Sequence, residues 1–194
     1  GVFDSGEIVD SIDYEMDKQE VKPSDFFARE VTESINFIKL FLTKAISGEN
    51  FELKEIDESK SLYLPRLYTD VHAWIDWRRW NGLYIERFIN AFDEPYVGAR
   101  TTLNNRNIRI KDVKFSDTKN DFHPFQSGLV VRKDSSETTI AVTGGLISVG
   151  TITDDDGTCI VDEIRIGQRF YTPEDNLEKA LTFEAVYDAS GLKS

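Results

Sequence analysis

The chain has 194 residues, and its 40% hydrophobic and 12% aromatic content supports a packed core and excludes a disordered chain. The single cysteine, Cys159, excludes an intramolecular disulfide and cysteine-based zinc sites, and no apolar run approaches the ~20 residues of a membrane helix. The net charge is −12, with 11 basic against 20 acidic residues over 1–99 and 12 against 15 over 100–194, so neither half offers the positive field that phosphate backbones require.

The opening GVFDSGEIVD begins in turn chemistry: an acid, a small polar residue and a glycine precede Ile8 and Val9. Such a start is expected of the back part of an enzyme, cut close to its active site. GEIVDSIDYEM alternates weakly and predicts an extended strand. In KPSDFFAREVTESINFIKLFLTKAISGEN, Phe27, Val31, Ile35, Ile38, Leu42 and Ala45 recur at steps of three and four, which predicts an amphipathic helix. Ser24 reads as its N-cap and Gly48 as its C-terminal stop. FELKEIDES predicts a further short strand, and SLYLPRLYTDVHAWIDWRRWNG an irregular linker anchored by tryptophans.

LYIERFINAFDEPY predicts a second helix, with Ile85, Phe88, Ile89 and Phe92 on one face and Pro95 as its stop. Six β-type runs follow: YVGARTTL, IRIKDVKF, SGLVVRKD, TTIAVTG, LISVGTIT and CIVDEIRIG. Their punctuation (NNRN, KDSSE, GG and DDDGT) is turn chemistry, so a small closed or half-closed barrel is expected. In YTPEDNLEKAL, Thr172 reads as a helix cap with Pro173 at the first helical position.

This order of elements resembles the second part of the formyltetrahydrofolate-dependent formyltransferases, the family of methionyl-tRNA formyltransferase and the sugar N-formyltransferases. FDSGEIV is similar to the family's Asp-x-Gly-(Asp/Glu)-Ile loop, which closes its catalytic domain. WIDWRRWNGLYIERFINAFDEPYVGARTTLNNRNIRIKDV resembles the passage from catalytic to C-terminal domain, and SGLVVRKDSSETTIAVTGGLISVGTI the barrel. The family's Rossmann-like half and its Asn-x-His pair precede this loop and have no counterpart in the sequence.

The resemblance implies an α+β chain: the C-terminal part of an α/β Rossmann-like formyltransferase domain at 1–60, an aromatic linker at 61–82, and a small OB-like β-barrel at 83–194. It implies N10-formyltetrahydrofolate as formyl donor, with Val2 and Asp4 beside it. Asp4 takes the family's catalytic carboxylate position, where a carboxylate orients the His and favours its charged form. Read without the family, Asp4 is a terminal residue in an Asx-turn. Tyr63 and Arg66, with Tyr68 and Trp74, combine ring faces with a fixed cation, suited to stacking a base and pairing with a diphosphate. The alternative for Trp74, Trp77 and Trp80 is that they anchor the linker on the catalytic domain.

His72 and His123 each follow an acid by two positions, do not form Asn-x-His, and read as surface loop residues; no metal site is expected. TDDDGT at 153–158 reads as a hairpin turn, not as a calcium loop, and TGG at 143–145 as a turn, not as a phosphate loop. The expected acceptor is a nucleotide-linked amino sugar. The acidity disfavours nucleic acid, methionyl-tRNA being the alternative acceptor, and a non-catalytic barrel module is the alternative class. A cytoplasmic location without membrane association is expected. So is self-association through residues 1–60, where the apolar face of the helix at 25–47 is read as having covered an absent parallel sheet.

Overall fold

The computed structural model describes residues 6–62, 64, 67–118, 122–135, 137–188 and 191–193. The chain divides into two units, one of 1–20 and 24–64, the other of 21–23 and 65–194.

The first unit is built on helix α1, Pro23–Ile46. It starts one residue before the expected cap, because proline's fixed φ and missing N–H suit the first turn. Its end follows the expectation. Gly48 sits at φ 74°, its N–H bonds the Ala45 carbonyl, and the Glu49 N–H bonds the Lys44 carbonyl. That pair of bonds is a Schellman closure, which only a residue at ease in the left-handed region completes cheaply. The two expected strands shrink to one antiparallel bridge, Ile8 to Lys54. An isolated pair of strands gains little in water, and no described segment widens this one into a sheet. Lys44 pairs with Asp10 at 3.0 Å, and the Phe41 and Phe51 rings lie 5.0 Å apart. No α1 residue is buried, and Val31, Ile35 and Ile38 are about half exposed.

In the second unit, α2 (Thr69–His72) leads to an extended segment, Ala73–Trp77, whose residues are all buried. Trp74 bridges Arg100, and the Ile75 N–H and Ala73 carbonyl bond the Arg100 backbone at 3.0 and 2.7 Å. Helix α3 (Gly82–Ala91) is capped by Asn81, whose side chain accepts the Tyr84 N–H. Its expected face is confirmed: Ile85, Ile89 and Phe92 are buried, and Phe88 packs against them.

The strands are β1 (Ala99–Leu103), β2 (Arg106–Asp117), β3 (Val130–Lys133), β4 (Thr138–Val142), β5 (Gly145–Asp154) and β6 (Phe170–Tyr171). They form one antiparallel sheet in the order β3-β4-β5-β2-β1-β6. The β1–β2 turn is Asn104-Asn105 with φ 50° and 63°, the positive values a two-residue hairpin loop demands. The edges meet: Leu129 bridges Arg169, and the Phe170 N–H bonds the Gly128 carbonyl at 2.8 Å. The sheet therefore curls back on itself, leaving little bare edge. Ile108, Ile110, Ile140, Ile147, Val149 and Ile152 fill its interior.

Two expectations fail here. CIVDEIRIG is not a strand; Val161–Glu163 is a 3-10 turn that buries Ile160, Val161 and Ile164. The sixth strand is instead the two-residue β6. Thr172 does not cap the last helix, α4 (Glu174–Thr182). Its hydroxyl donates to the Ile75 carbonyl at 2.5 Å, and Pro173 takes the cap position. A short hairpin, β7 (Val186–Asp188) with β8 (Gly191–Lys193), closes the chain. Among the described residues no helix is long and apolar enough to cross a membrane.

Candidate functional site

Part of the aromatic linker read at 61–82, from Leu67 to Trp80, forms one wall of a groove of about 590 Å³ in the second unit. The other wall is α4, through Leu177 and Leu181, and the floor includes Trp74, Trp80 and Phe88. Leu181 is 87% exposed, so the groove carries apolar surface that the unit itself does not cover.

Asp76, Arg79 and Glu174 in the groove have fixed partners. Asp76, 5% exposed, accepts the Arg78 and Arg79 N–H groups and the Arg79 guanidinium, all at 3.0–3.1 Å. The Arg78 and Arg79 side chains both reach Glu174 at the start of α4. The Arg79 bond holds the Glu174 carboxyl below its ordinary range, against the opposing effect of desolvation. One carboxylate thus ties α4 to the 76–80 segment. It also places a negative charge at a helix N-terminus, where the macrodipole favours it.

His72 is not the surface loop residue expected. Its Nδ1 lies 2.8 Å from the Tyr68 backbone nitrogen, and its Nε2 lies 3.3 Å from the Phe183 carbonyl oxygen. The ring packs edge-on against Phe183 at 5.7 Å. This is a histidine used to fix the exit of α4. His123 caps a 3-10 turn, Pro124–Gln126, through its own Nδ1.

The tryptophans are structural, but their anchorage is not the expected one. Trp77, 2% exposed, donates from Nε1 to the Thr101 hydroxyl at 2.8 Å and stacks on Phe170 at 6.0 Å, inside the sheet. Trp74 has the Arg100 guanidinium over its ring at 4.9 Å, so that face is closed to a base. Tyr68 packs on Phe183 at 6.0 Å, and its hydroxyl donates to Asp70 at 3.0 Å. Val2, Asp4, Tyr63 and Arg66 lie outside the described residues.

Sequence reasoning missed the charge lattice on the outside of the sheet. Asp155 pairs with Arg100 and Arg109, and Arg106 with Asp154 and Glu163. Asp154 also accepts the Thr158 and Asp156 N–H groups, the former holding its carboxyl below the ordinary range. The DDDGT run is thus a turn, as expected, in which Asp154 and Asp155 are spent on backbone donors and arginines. The signal was the basic alternation in RNIRIK. TGG is also a turn: Gly144 lies at φ 86°, between Val142 and its ladder partner Gly145. Among the described residues no group of three His, Cys, Asp or Glu side chains could hold a metal ion.

Residues 69–162 match the family described as the formyl transferase C-terminal domain. No curated protein matches the sequence. Among solved structures, a multiply substituted variant of HypX from Aquifex aeolicus is similar over 100% of this chain and 33% of its own, at 12% identity and TM-score 0.58. The crystal structure of HypX from Aquifex aeolicus with tetrahydrofolic acid is similar over 92% of this chain and 30% of its own, at 11% identity and TM-score 0.54. The chain thus spans about a third of the length of the structures it matches. At this identity the likeness is one of fold.

Proposed function

We propose, for a chain that belongs to the formyltransferase family through its C-terminal domain, a place in an enzyme that moves a formyl group from N10-formyltetrahydrofolate to an amine. The match of 69–162 to the formyl transferase C-terminal domain carries the reading. The tetrahydrofolic acid complex of HypX supports the choice of donor.

In this reading the acceptor amine attacks the formyl carbon. The carbon–N10 bond breaks, N10 takes up a proton, and a formamide and tetrahydrofolate leave. Asp4 supplies the carboxylate that orients a histidine from a preceding segment, and the backbone at Val2 lies along the donor. The second unit takes no part in bond making. Asp76, Glu174, Arg78 and Arg79 beside its groove neutralise one another. It serves binding and docking.

The acceptor in this reading is an amino sugar joined to a nucleotide, with Tyr63 and Arg66 beside it. The net charge of −12 supports this over methionyl-tRNA, since a tRNA acceptor calls for a basic surface. The test uses a longer protein in which this chain follows a segment that carries an Asn-x-His pair. Tetrahydrofolate release is followed with the donor and, in turn, nucleotide-linked amino sugars and methionyl-tRNA. Release dependent on the sugar supports the reading. Release dependent only on the tRNA overturns the acceptor, and none with any amine overturns amine formylation.

A further inference from the structure

The second unit holds a smaller cavity, of about 340 Å³, that the groove does not include. Trp77, Pro124, Phe125, Phe170 and Tyr171 give it an almost wholly apolar lining. Its volume is at the lower end of small-molecule sites, enough for one or two fused rings.

Three observations point to a ligand. The first is Phe125, 81% exposed at the rim. The turn that presents it is closed from both ends: His123 Nδ1 accepts the Phe125 N–H at 3.2 Å, and Gln126 Oε1 accepts the His123 N–H at 2.9 Å. The ring packs on His123 at 5.3 Å and still leaves most of its surface to water. The second is that the opposite ring is also fixed, since the Tyr171 hydroxyl donates to Asn105 at 2.6 Å. The third is charge. Asp76 and Arg78 in the wall are neutralised by Arg79 and Glu174. Arg169 is not: its Nη1 donates to the Ser127 carbonyl at 2.8 Å, and no carboxylate pairs with it among the described residues. Ser127 is itself pinned, its hydroxyl donating to the Trp77 carbonyl. In a chain of net charge −12, a guanidinium held at a cavity mouth with no carboxylate partner favours an anionic ligand.

We propose that this cavity binds a small planar aromatic anion. The ring lies against Phe125 and Tyr171, and a carboxylate or phosphate meets the free edge of Arg169. Stacking and a charge-assisted bond together suit an affinity between about 10 μM and 1 mM. The two sources of the anion are an aromatic carboxylate and a mononucleotide, and the chemistry they share is the flat ring with an acid beside it.

The test is titration of the full chain by calorimetry, with indole-3-carboxylate and uridine monophosphate as probes. Indole and inorganic phosphate serve as single-feature controls. Saturable binding of one probe, at least tenfold tighter than either control, is expected. Phe125→Ala and Arg169→Gln should each weaken it tenfold or more, with thermal unfolding moved by no more than about 2 °C, since both side chains are exposed. Neither probe binding up to 10 mM overturns the proposal, and so does binding that both variants leave unchanged. Indole binding as well as its carboxylate removes the role of Arg169. No formyl donor is present in the titration, so its outcome does not depend on the proposed enzymatic reading.

Discussion

Replacing Asp93 by alanine should destabilise the second unit by about 3 kcal/mol. Asp93 is 1% exposed and follows the end of α3, and it serves three other places. One oxygen accepts the Glu94 N–H at 2.7 Å; the other accepts the Asp112 N–H at 3.0 Å and pairs with Lys22 at 3.1 Å. The Asp112 bond matters most. Asp112 sits in the middle of β2 at φ 52°, a left-handed value costly for a non-glycine residue, so its N–H turns off the ladder and needs an acceptor. Hydrogen bonds to a charged group are worth about 1.5 kcal/mol each, and two backbone donors lose theirs. Lys22 keeps Asp112 as a partner, so its share is small. Thermal unfolding followed by near-ultraviolet circular dichroism should show the midpoint about 10 °C lower. Asp93→Asn, which keeps an acceptor, should lose less than half as much. An alanine variant within about 2 °C of the parent would refute this account of the kink in β2.

Stability should fall in acid. Asp112 is held below its ordinary value by its bond to Lys22 and then by Thr151, and Asp154 first by the Thr158 N–H. A depressed folded-state pKa gives stability that is complete above the ordinary carboxylate range and is lost as pH falls from about 4 through the folded values. Urea midpoints at pH 7 and pH 3 check this, and equal midpoints would contradict it. Gly128→Ala should abolish folding of the second unit, because the new Cβ would lie 2.1 Å from the Phe170 carbonyl oxygen where the sheet edges meet. Gly144→Ala, at a similar φ but facing open space, should cost only about 1 kcal/mol, and comparing yields of folded protein separates the two. In the longer protein, Asp4→Asn should lower turnover by ~10²-fold or more while leaving its circular dichroism intact. Near-normal turnover would show that Asp4 is not the oriented carboxylate.

The elements that sequence reading located are those whose stability is local. In α1 the apolar step from Phe27 to Ala45 and the glycine stop at 48 are properties of the chain itself. The Asn-Asn turn fixes the β1–β2 register in the same way, pairing Leu103 with Arg106. The failures share a cause. CIVDEIRIG has the composition of a strand, but Ile160, Val161 and Ile164 are buried at spacings that suit a tight turn, which composition does not reveal. β6 is too short at two residues to show any period, and it exists because Leu129 and Gly128 stand opposite Arg169 and Phe170. The segment 73–77 resembled a linker because it is aromatic and irregular, while its burial depends on Arg100, distant in sequence. The groove was half legible: Trp74 and the linker at 61–82 were singled out, but α4 as the second wall was not. Leu177 and Leu181 carry no signal of the surface they meet.

The most direct measurement is tetrahydrofolate release from N10-formyltetrahydrofolate, followed for the 194-residue chain and for a longer protein in which it follows a segment that carries an Asn-x-His pair. Each is assayed with the same nucleotide-linked amino sugars. The account predicts acceptor-dependent release by the longer protein and none above the uncatalysed rate by the chain alone. The reason is that this sequence holds the domain matched at 69–162 but no Asn-x-His pair. Turnover by the isolated chain, or a longer protein that releases no tetrahydrofolate with any amine acceptor, would contradict it.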